Sequence, residues 1–147
     1  MALIDDIEVF AVDISPEARD LAREMGIKHV YENVMDLAPH ECDIIVDFAG
    51  FGQTTADALE AVAKYGKVVV VGMGKLETTI NVSTLILKQA QILGSNGGTA
   101  QDISEVYKYF ATGKLKPQLH TISFDEIPEG LERLRRGEVR GRLVAVR

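Results

Sequence analysis

Asp13 closes an apolar run, Glu8 to Ile14 (EVFAVDI), and stands two residues before Ser15-Pro16. A buried strand that ends in an acid and turns at once into a helix puts a carboxylate at the carboxyl end of a sheet. Ligands bind at that edge in parallel α/β sheets. An aspartate there accepts hydrogen bonds from ribose hydroxyls, and its charge repels a 2′-phosphate. The competing role, a polar group that starts the next helix, is filled by Ser15 as N-cap with Pro16 at the first helical position.

Three glycine turns each follow an apolar run: Gly50-Phe51-Gly52, Gly72-Met73-Gly74 and Gly94-Ser95-Asn96-Gly97-Gly98. Glycine supplies positive φ and lets backbone approach a ligand. A single turn of this kind is ordinary turn chemistry; three at strand ends imply a shared crevice along one sheet edge. Gly50-Phe51-Gly52-Gln53-Thr54-Thr55 follows a strand and opens a helix, as a dinucleotide fingerprint does. Thr55 stands where that pattern needs a third glycine, and no acid follows at the required distance. The turn is therefore read as lying near an adenosine and not as a pyrophosphate loop.

Other chemistries find little support. The nitrogen and sulfur ligands are His29, His40, His120 and Cys42, and His40-Glu41-Cys42 is not a usual zinc spacing. No metal site is expected; His29 and His120 are read as partly buried polar side chains. No G-x-S-x-G elbow occurs. Cys42 is read as a small hydrophobe before a strand. The four tyrosines form no Tyr-x-x-x-Lys pair, so no catalytic residue is assigned.

The elements that must position these residues alternate between short apolar runs and longer amphipathic ones, the mark of α/β with a parallel sheet. Strands are expected at 8–14, 29–31, 43–49, 67–71, 91–94 and 141–146. Helices are expected from Ser15 to a stop at Gly26, with Ala18, Leu21, Ala22 and Met25 inward, and over 54–64, with Ala58, Leu59 and Val62 inward until Gly66 breaks it. Further helices fall at 83–88, at 100–112 before Gly113, and at 128–136. A looser stretch surrounds Pro117. The runs at 44–46 and 68–71 look like strands covered on both faces.

With 147 residues, 46% of them hydrophobic, one cysteine and a net charge of −6, the chain has the size of one domain and the means to build a core. A disulfide framework is excluded. An acidic chain is a poor non-specific nucleic-acid binder, and no run reaches the roughly 20 residues of a membrane span. The N-terminus lacks a signal-peptide pattern, so a cytoplasmic protein is expected. Six arginines and one acid between residues 133 and 147 imply an end that meets phosphate or an acidic surface, or else a solvated helix end.

Several blocks, in order, resemble the second half of a zinc-type medium-chain alcohol dehydrogenase. They are Asp13-Ile14-Ser15-Pro16-Glu17, Asp47-Phe48-Ala49-Gly50, Gly66-Lys67-Val68-Val69-Val70-Val71-Gly72, Ile92-Leu93-Gly94-Ser95, and Glu132-Arg133-Leu134 with Gly141-Arg142-Leu143-Val144. The resemblance runs from about residue 8 to the end. It implies a Rossmann-like parallel sheet with flanking helices that lacks the first βα unit. Residues 1–113 would form an incomplete dinucleotide-binding domain, and 114–147 a segment that returns to a catalytic domain. It also implies NAD as cofactor. Asp13 would hold the adenosine ribose, Ile14 would lie beside the adenine, and Phe48, Ala49 and Gly50 would line the adenosine side. Val71, Gly72 and Met73 would touch the nicotinamide side, Leu93, Gly94 and Ser95 would hold the carboxamide, and Arg142 would reach the pyrophosphate.

The family's first strand, its glycine-rich turn and its zinc-bearing catalytic domain find no counterpart here. The chain alone is expected to be catalytically incomplete and to bind no zinc itself. Two inner strands would each present an unpaired edge. These edges would pair directly, be bridged by a hairpin from Ala2-Leu3-Ile4, or be completed by another chain. A homo-oligomer or a complementary chain is the expected partner, with pairing through the strand at Gln91 to Gly94. Two other readings stay open. Residues 12–18 also resemble the ribose-binding segment of S-adenosylmethionine-dependent methyltransferases. A non-catalytic, dimerising nucleotide-binding remnant would need no chemistry at all.

Overall fold

The structure, a computed structural model, describes residues 7–147. It divides into two compact units, Met1–Gly97 and Gly98–Arg147. The hairpin at Ala2-Leu3-Ile4, one of the three expected ways of completing the sheet, lies outside the described residues.

The first unit alternates strand and helix. β1 (Phe10–Val12) leads to α1 (Pro16–Glu24) and back to β2 (His29–Tyr31). A 3-10 segment, Val34–His40, precedes β3 (Ile44–Asp47); α2 (Gln53–Ala61), β4 (Lys67–Val70), α3 (Val82–Lys88) and β5 (Gln91–Gly94) follow. Every pairing is parallel. β1 pairs with β2, Phe10 opposite His29. The order β3-β4-β5 sets Ile45 opposite Val68 and Val68 opposite Ile92. Among the described residues β1 and β3 do not pair, so each has hydrogen-bonding capacity on one edge. This is the Rossmann-like parallel arrangement with flanking helices that the alternating pattern predicts.

α1 starts as its residue types dictate: the Ser15 hydroxyl accepts from the Ala18 amide, and Pro16 opens the helix. Its inner face is narrower than expected. Met25 is the C-cap and is 67% exposed, because the helix ends before it and Gly26 turns away at φ +89°. α2 ends at Ala61, three residues short of the expected Lys64, and Gly66 does not break it. Val62 leaves the helix with extended backbone and yet is fully buried. The Lys88 ammonium donates to the Glu60 and Val62 carbonyls at 2.6 Å each. A side chain 26 residues away thus closes a helix whose local sequence would run on. Gly66 serves a close approach instead: a Cβ there would come within 2.5 Å of the Val62 side chain.

The core sits in this unit. Leu37, Ile45, Ala58, Ala61, Val62 and Val68 form one buried cluster, with Phe10, Val12, Cys42 and Val70 packed against it. It lies between α2, the 3-10 segment and one face of the sheet. The expectation of strands covered on both faces is corrected here. Ile44 is exposed and Val46 and Val69, on the face away from Val68, are only half-buried, because α2 and the 3-10 segment cover one face alone.

The second unit holds α4 (Ala100–Ala111), β6 (Leu119–Ser123), a 3-10 turn at Phe124–Glu126, α5 (Ile127–Arg135) and β7 (Arg142–Val146). β6 pairs with β7 in parallel, Leu119 opposite Arg142. β6 occupies the stretch expected to be loose. His120 lies on it and is exposed, which corrects its reading as a partly buried side chain. Gly130 lets α5 lie on the small sheet: a Cβ there would sit 2.9 Å from Ile122 and 3.3 Å from Leu143.

Candidate functional site

β3, β4 and β5 run in one direction, so the turns that follow them share one edge. Two of these turns cross in direct contact. A Cβ built on Gly50, whose φ is +61°, would fall 2.0 Å from the Gly72 carbonyl oxygen. A Cβ on Gly72 would fall 2.3 Å from the Phe48 oxygen. The Val71 and Gly72 amides donate to the Asp47 carbonyl at 2.9 and 3.0 Å, and the Lys75 amide donates to the Gly50 carbonyl at 2.8 Å. The glycines are thus required by the crossing, beyond any ligand. The third turn joins the edge through the Ser95 amide, which donates to the Val70 carbonyl at 2.9 Å.

Asp47 anchors the first turn. It is buried, and one carboxylate oxygen accepts from the Ala49 and Gly50 amides at 3.1 and 2.8 Å. The other accepts from the Thr54 and Thr55 hydroxyls at 2.8 and 2.7 Å. Burial alone would raise its pKa; the amide of Gly50 and the other donors outweigh burial and hold it below the usual aspartate range. An ionised carboxylate therefore sits at the start of α2, whose N-cap, Gly52, offers no side-chain cap. The partial positive charge of that helix end is already answered. A phosphate bound there would meet a buried anion, which agrees with reading the turn as no pyrophosphate loop.

Large apolar side chains stand exposed around these turns. Phe48 is 76% exposed and Met73 77%, and Phe51 and Leu76 join them. Phe51 lies on Gly74, where a Cβ would come 2.7 Å from its ring. Apolar groups grouped at a sheet's carboxyl edge mark a binding surface more often than a solvated one. Phe51, Leu76 and Asp47 carry no role in the sequence reading. A signal for Asp47 is present there: an acid in an apolar strand, with glycine three residues on and two threonines at seven and eight.

Asp13 and Ile14 follow β1, in the other sheet. Asp13 is exposed, and one of its oxygens accepts from the Ser15 amide at 2.8 Å. It therefore does contribute to starting α1 and keeps its second oxygen for another donor. Arg19 fixes this corner, donating to the Asp13 and Ile14 carbonyls at 2.7 and 2.9 Å and pairing with Glu32 at 3.2 Å. Of the sequence-derived residues, then, Phe48, Ala49, Gly50, Val71, Gly72 and Met73 come together, with Leu93 and Gly94 on the adjoining strand and Ser95 just after it. Asp13 and Ile14 stand on the neighbouring sheet. Arg142 belongs to the second unit, where its guanidinium donates to the Gly141 carbonyl at 3.3 Å.

Away from this edge the polar side chains look structural. The Phe10 ring stacks on His29 at 4.8 Å and lies 4.7 Å from His40. His29 pairs with Glu8 at 3.0 Å, and His40 shares a 2.7 Å hydrogen bond with the Tyr31 hydroxyl. Burial, then the nearby Asp43 charge, push the Cys42 thiol up, which disfavours the reactive thiolate, and its side chain packs against the core. Among the described residues no three His, Cys, Asp or Glu side chains are grouped to hold a metal ion. A hollow of about 310 Å³ beside Glu60, Val62 and Lys88 lies at the C-terminal end of α2, opposite the glycine turns. No helix among the described residues is long and apolar enough to cross a membrane.

A parallel sheet with crossing glycine turns at its carboxyl edge defines a Rossmann-like α/β protein of the dinucleotide-binding kind. Comparison with known proteins narrows this. Residues 1–112 match the zinc-binding dehydrogenase family, and the chain belongs to that family. It is 29% identical to an alcohol dehydrogenase of Geobacillus stearothermophilus, over 94% of this chain and 43% of that protein. It is 28% identical to a D-arabinose 1-dehydrogenase (NADP(+)) of Saccharolobus solfataricus, over 97% and 43%. Among solved structures, acetophenone reductase from Geotrichum candidum in complex with NAD superimposes with a TM-score of 0.86 at 34% identity, covering 95% of this chain and 41% of that one. The chain thus spans less than half the length of these relatives.

Proposed function

We propose that this chain is the NAD(H)-binding portion of an alcohol dehydrogenase-like oxidoreductase. The crossing of the Gly50 and Gly72 turns, rimmed by exposed apolar side chains, carries the reading. A flat base or nicotinamide ring needs both close backbone and apolar cover. In this reading Asp13 accepts from the adenosine ribose, Ile14 lies beside the adenine, and Phe48, Ala49 and Gly50 line the adenosine side. Val71, Gly72 and Met73 face the nicotinamide side, while Leu93, Gly94 and Ser95 present backbone groups to the carboxamide. Arg142 is assigned to the pyrophosphate on the family resemblance alone. Residues 1–113 form the incomplete dinucleotide-binding part and 114–147 the returning segment; the family match ends beside that boundary, at residue 112.

Bound NAD would supply a hydride acceptor; the chain's own residues bind and orient it. The charge of Asp13 favours NAD over NADP. Among the described residues no group of His, Cys, Asp or Glu side chains fits a zinc site. The named relatives are dehydrogenases and reductases, which weighs against the methyltransferase alternative. The dimerising alternative keeps one supporting observation: β5 is exposed along its whole length and, among the described residues, pairs only with β4, an edge open to a second copy.

Titration of NADH into the purified chain, followed by nicotinamide fluorescence, tests the proposal. The protein has no tryptophan, so the signal is unobstructed. Saturable enhancement that NADPH and S-adenosylmethionine compete away poorly, and that Asp13→Ala abolishes, is expected. No enhancement at millimolar NADH would overturn NAD binding by this chain.

A further inference from the structure

Asp47 is the one buried aspartate of the described residues, and the nucleotide assignment leaves it unused. It touches both crossing turns. Through its carboxylate it accepts from Ala49, Gly50, Thr54 and Thr55, and through its carbonyl from Val71 and Gly72. The Thr54 hydroxyl in turn accepts from the Phe51 amide at 3.1 Å. We infer that Asp47 is the positioning residue that locks the turns at 48–52 and 71–74 into one unit and so fixes the surface offered to the dinucleotide. This rests on the nucleotide reading for its ligand, not for its geometry.

Four donors converge on one carboxylate, and no cation is among them. A charged acceptor makes shorter, stronger hydrogen bonds than a neutral one, and every donor left unpaired in a buried site is costly. The carboxylate therefore sets where the amides of residues 49 and 50 lie. Phe48 and Gly50 follow, and through the glycine crossing so does Gly72. Burial, the turn amides and the two threonine hydroxyls are the causes that act on its acidity; no charged side chain contributes. The substitution Asp47→Asn would keep the shape, because the threonine hydroxyls can reverse and accept from the new amide nitrogen. Alanine would leave the amides of 49 and 50 without their partner.

The test uses the full chain with NMR-detected amide exchange and NAD+ titration, on wild type, Asp47→Asn, Asp47→Ala and Thr54→Val/Thr55→Val. In Asp47→Ala the amides of residues 49, 50, 71 and 72 should exchange at least tenfold faster while those of Leu59 and Val68 stay protected. NAD+ affinity should fall tenfold or more. Asp47→Asn should stay within threefold of wild type at pH 7. In Thr54→Val/Thr55→Val, which removes two of the four donors to the carboxylate, the amides of residues 49, 50, 71 and 72 should exchange at least threefold faster than in wild type at pH 7. Unchanged affinity in a folded Asp47→Ala chain would overturn the inference, as would equal loss of protection at Leu59 and Val68. If Asp47→Ala fails to fold, unchanged exchange at 49, 50, 71 and 72 in the threonine variant overturns it instead. Absence of any NAD+-induced shift in wild type would overturn the nucleotide reading, while the exchange rates at 49, 50, 71 and 72 still decide whether Asp47 couples the turns.

Discussion

Gly50 carries two constraints at once. Its φ of +61° lies in the left-handed region, and a Cβ would overlap the Gly72 carbonyl. Each alone costs a non-glycine residue about 1–3 kcal/mol. Backbone on both sides of the contact cannot yield as a flexible side chain would. Gly50→Ala should therefore cost about 3 kcal/mol or more, read as a lower denaturation midpoint with an unchanged slope against urea. Gly94→Ala offers the control, because nothing lies within 4 Å of a Cβ there; it should change stability little.

The Asp47 carboxylate makes a second prediction at the residue scale. Its pKa is lower folded than unfolded, so its contribution is fully present above the ordinary aspartate value, about 4. It is lost as the pH falls through the folded value. The stability difference between wild type and Asp47→Asn should be steady from pH 7 to about 5 and should shrink towards pH 3 in urea melts. Comparison with Asp47→Asn matters, because Asp102 and Glu126 are also held low, each by a capping amide. Those groups are exposed and are common to both proteins.

At the scale of elements, local chemistry was legible where it was strong. Ser15-Pro16 starts α1, and β2 and β5 fall where short apolar runs end in turns. Ser15→Ala should remove the Ala18 partner and destabilise the helix by about 1 kcal/mol. Amide exchange at residues 17–19 should rise before that of β4. Features set by distant partners were hidden. β6 (LHTIS) has one half-buried residue, Ile122, and no strong pattern; pairing with β7 makes it a strand. α2 stops at Ala61 because Lys88 caps its carbonyls from another helix. The same holds at the site. Asp13 and the glycine turns announce themselves by position after strands. The role of Asp47 needed the fold that brings Gly72 against Gly50.

At the scale of the whole chain the two units differ in what holds them. Among the described residues all seven buried hydrophobic ones, including the fully buried Leu59, Val62 and Val68, belong to the first unit. In the second, no hydrophobic side chain is buried among the described residues, and α4 leaves Ile103, Val106, Tyr107 and Phe110 at least 36% exposed. Local opening follows buried apolar contact. Amides of α2 and β4 should therefore be the slowest to exchange, and those of α4, β6 and β7 faster under the same conditions. Leu59→Ala removes a fully buried side chain from α2 and should cost about 2–5 kcal/mol. That loss should appear as faster exchange at Val68 and Val62, with the rates in β6 and β7 unchanged. Equal acceleration in both units would mean that the second depends on the first for its stability, and the two would then have to be treated as one cooperative body.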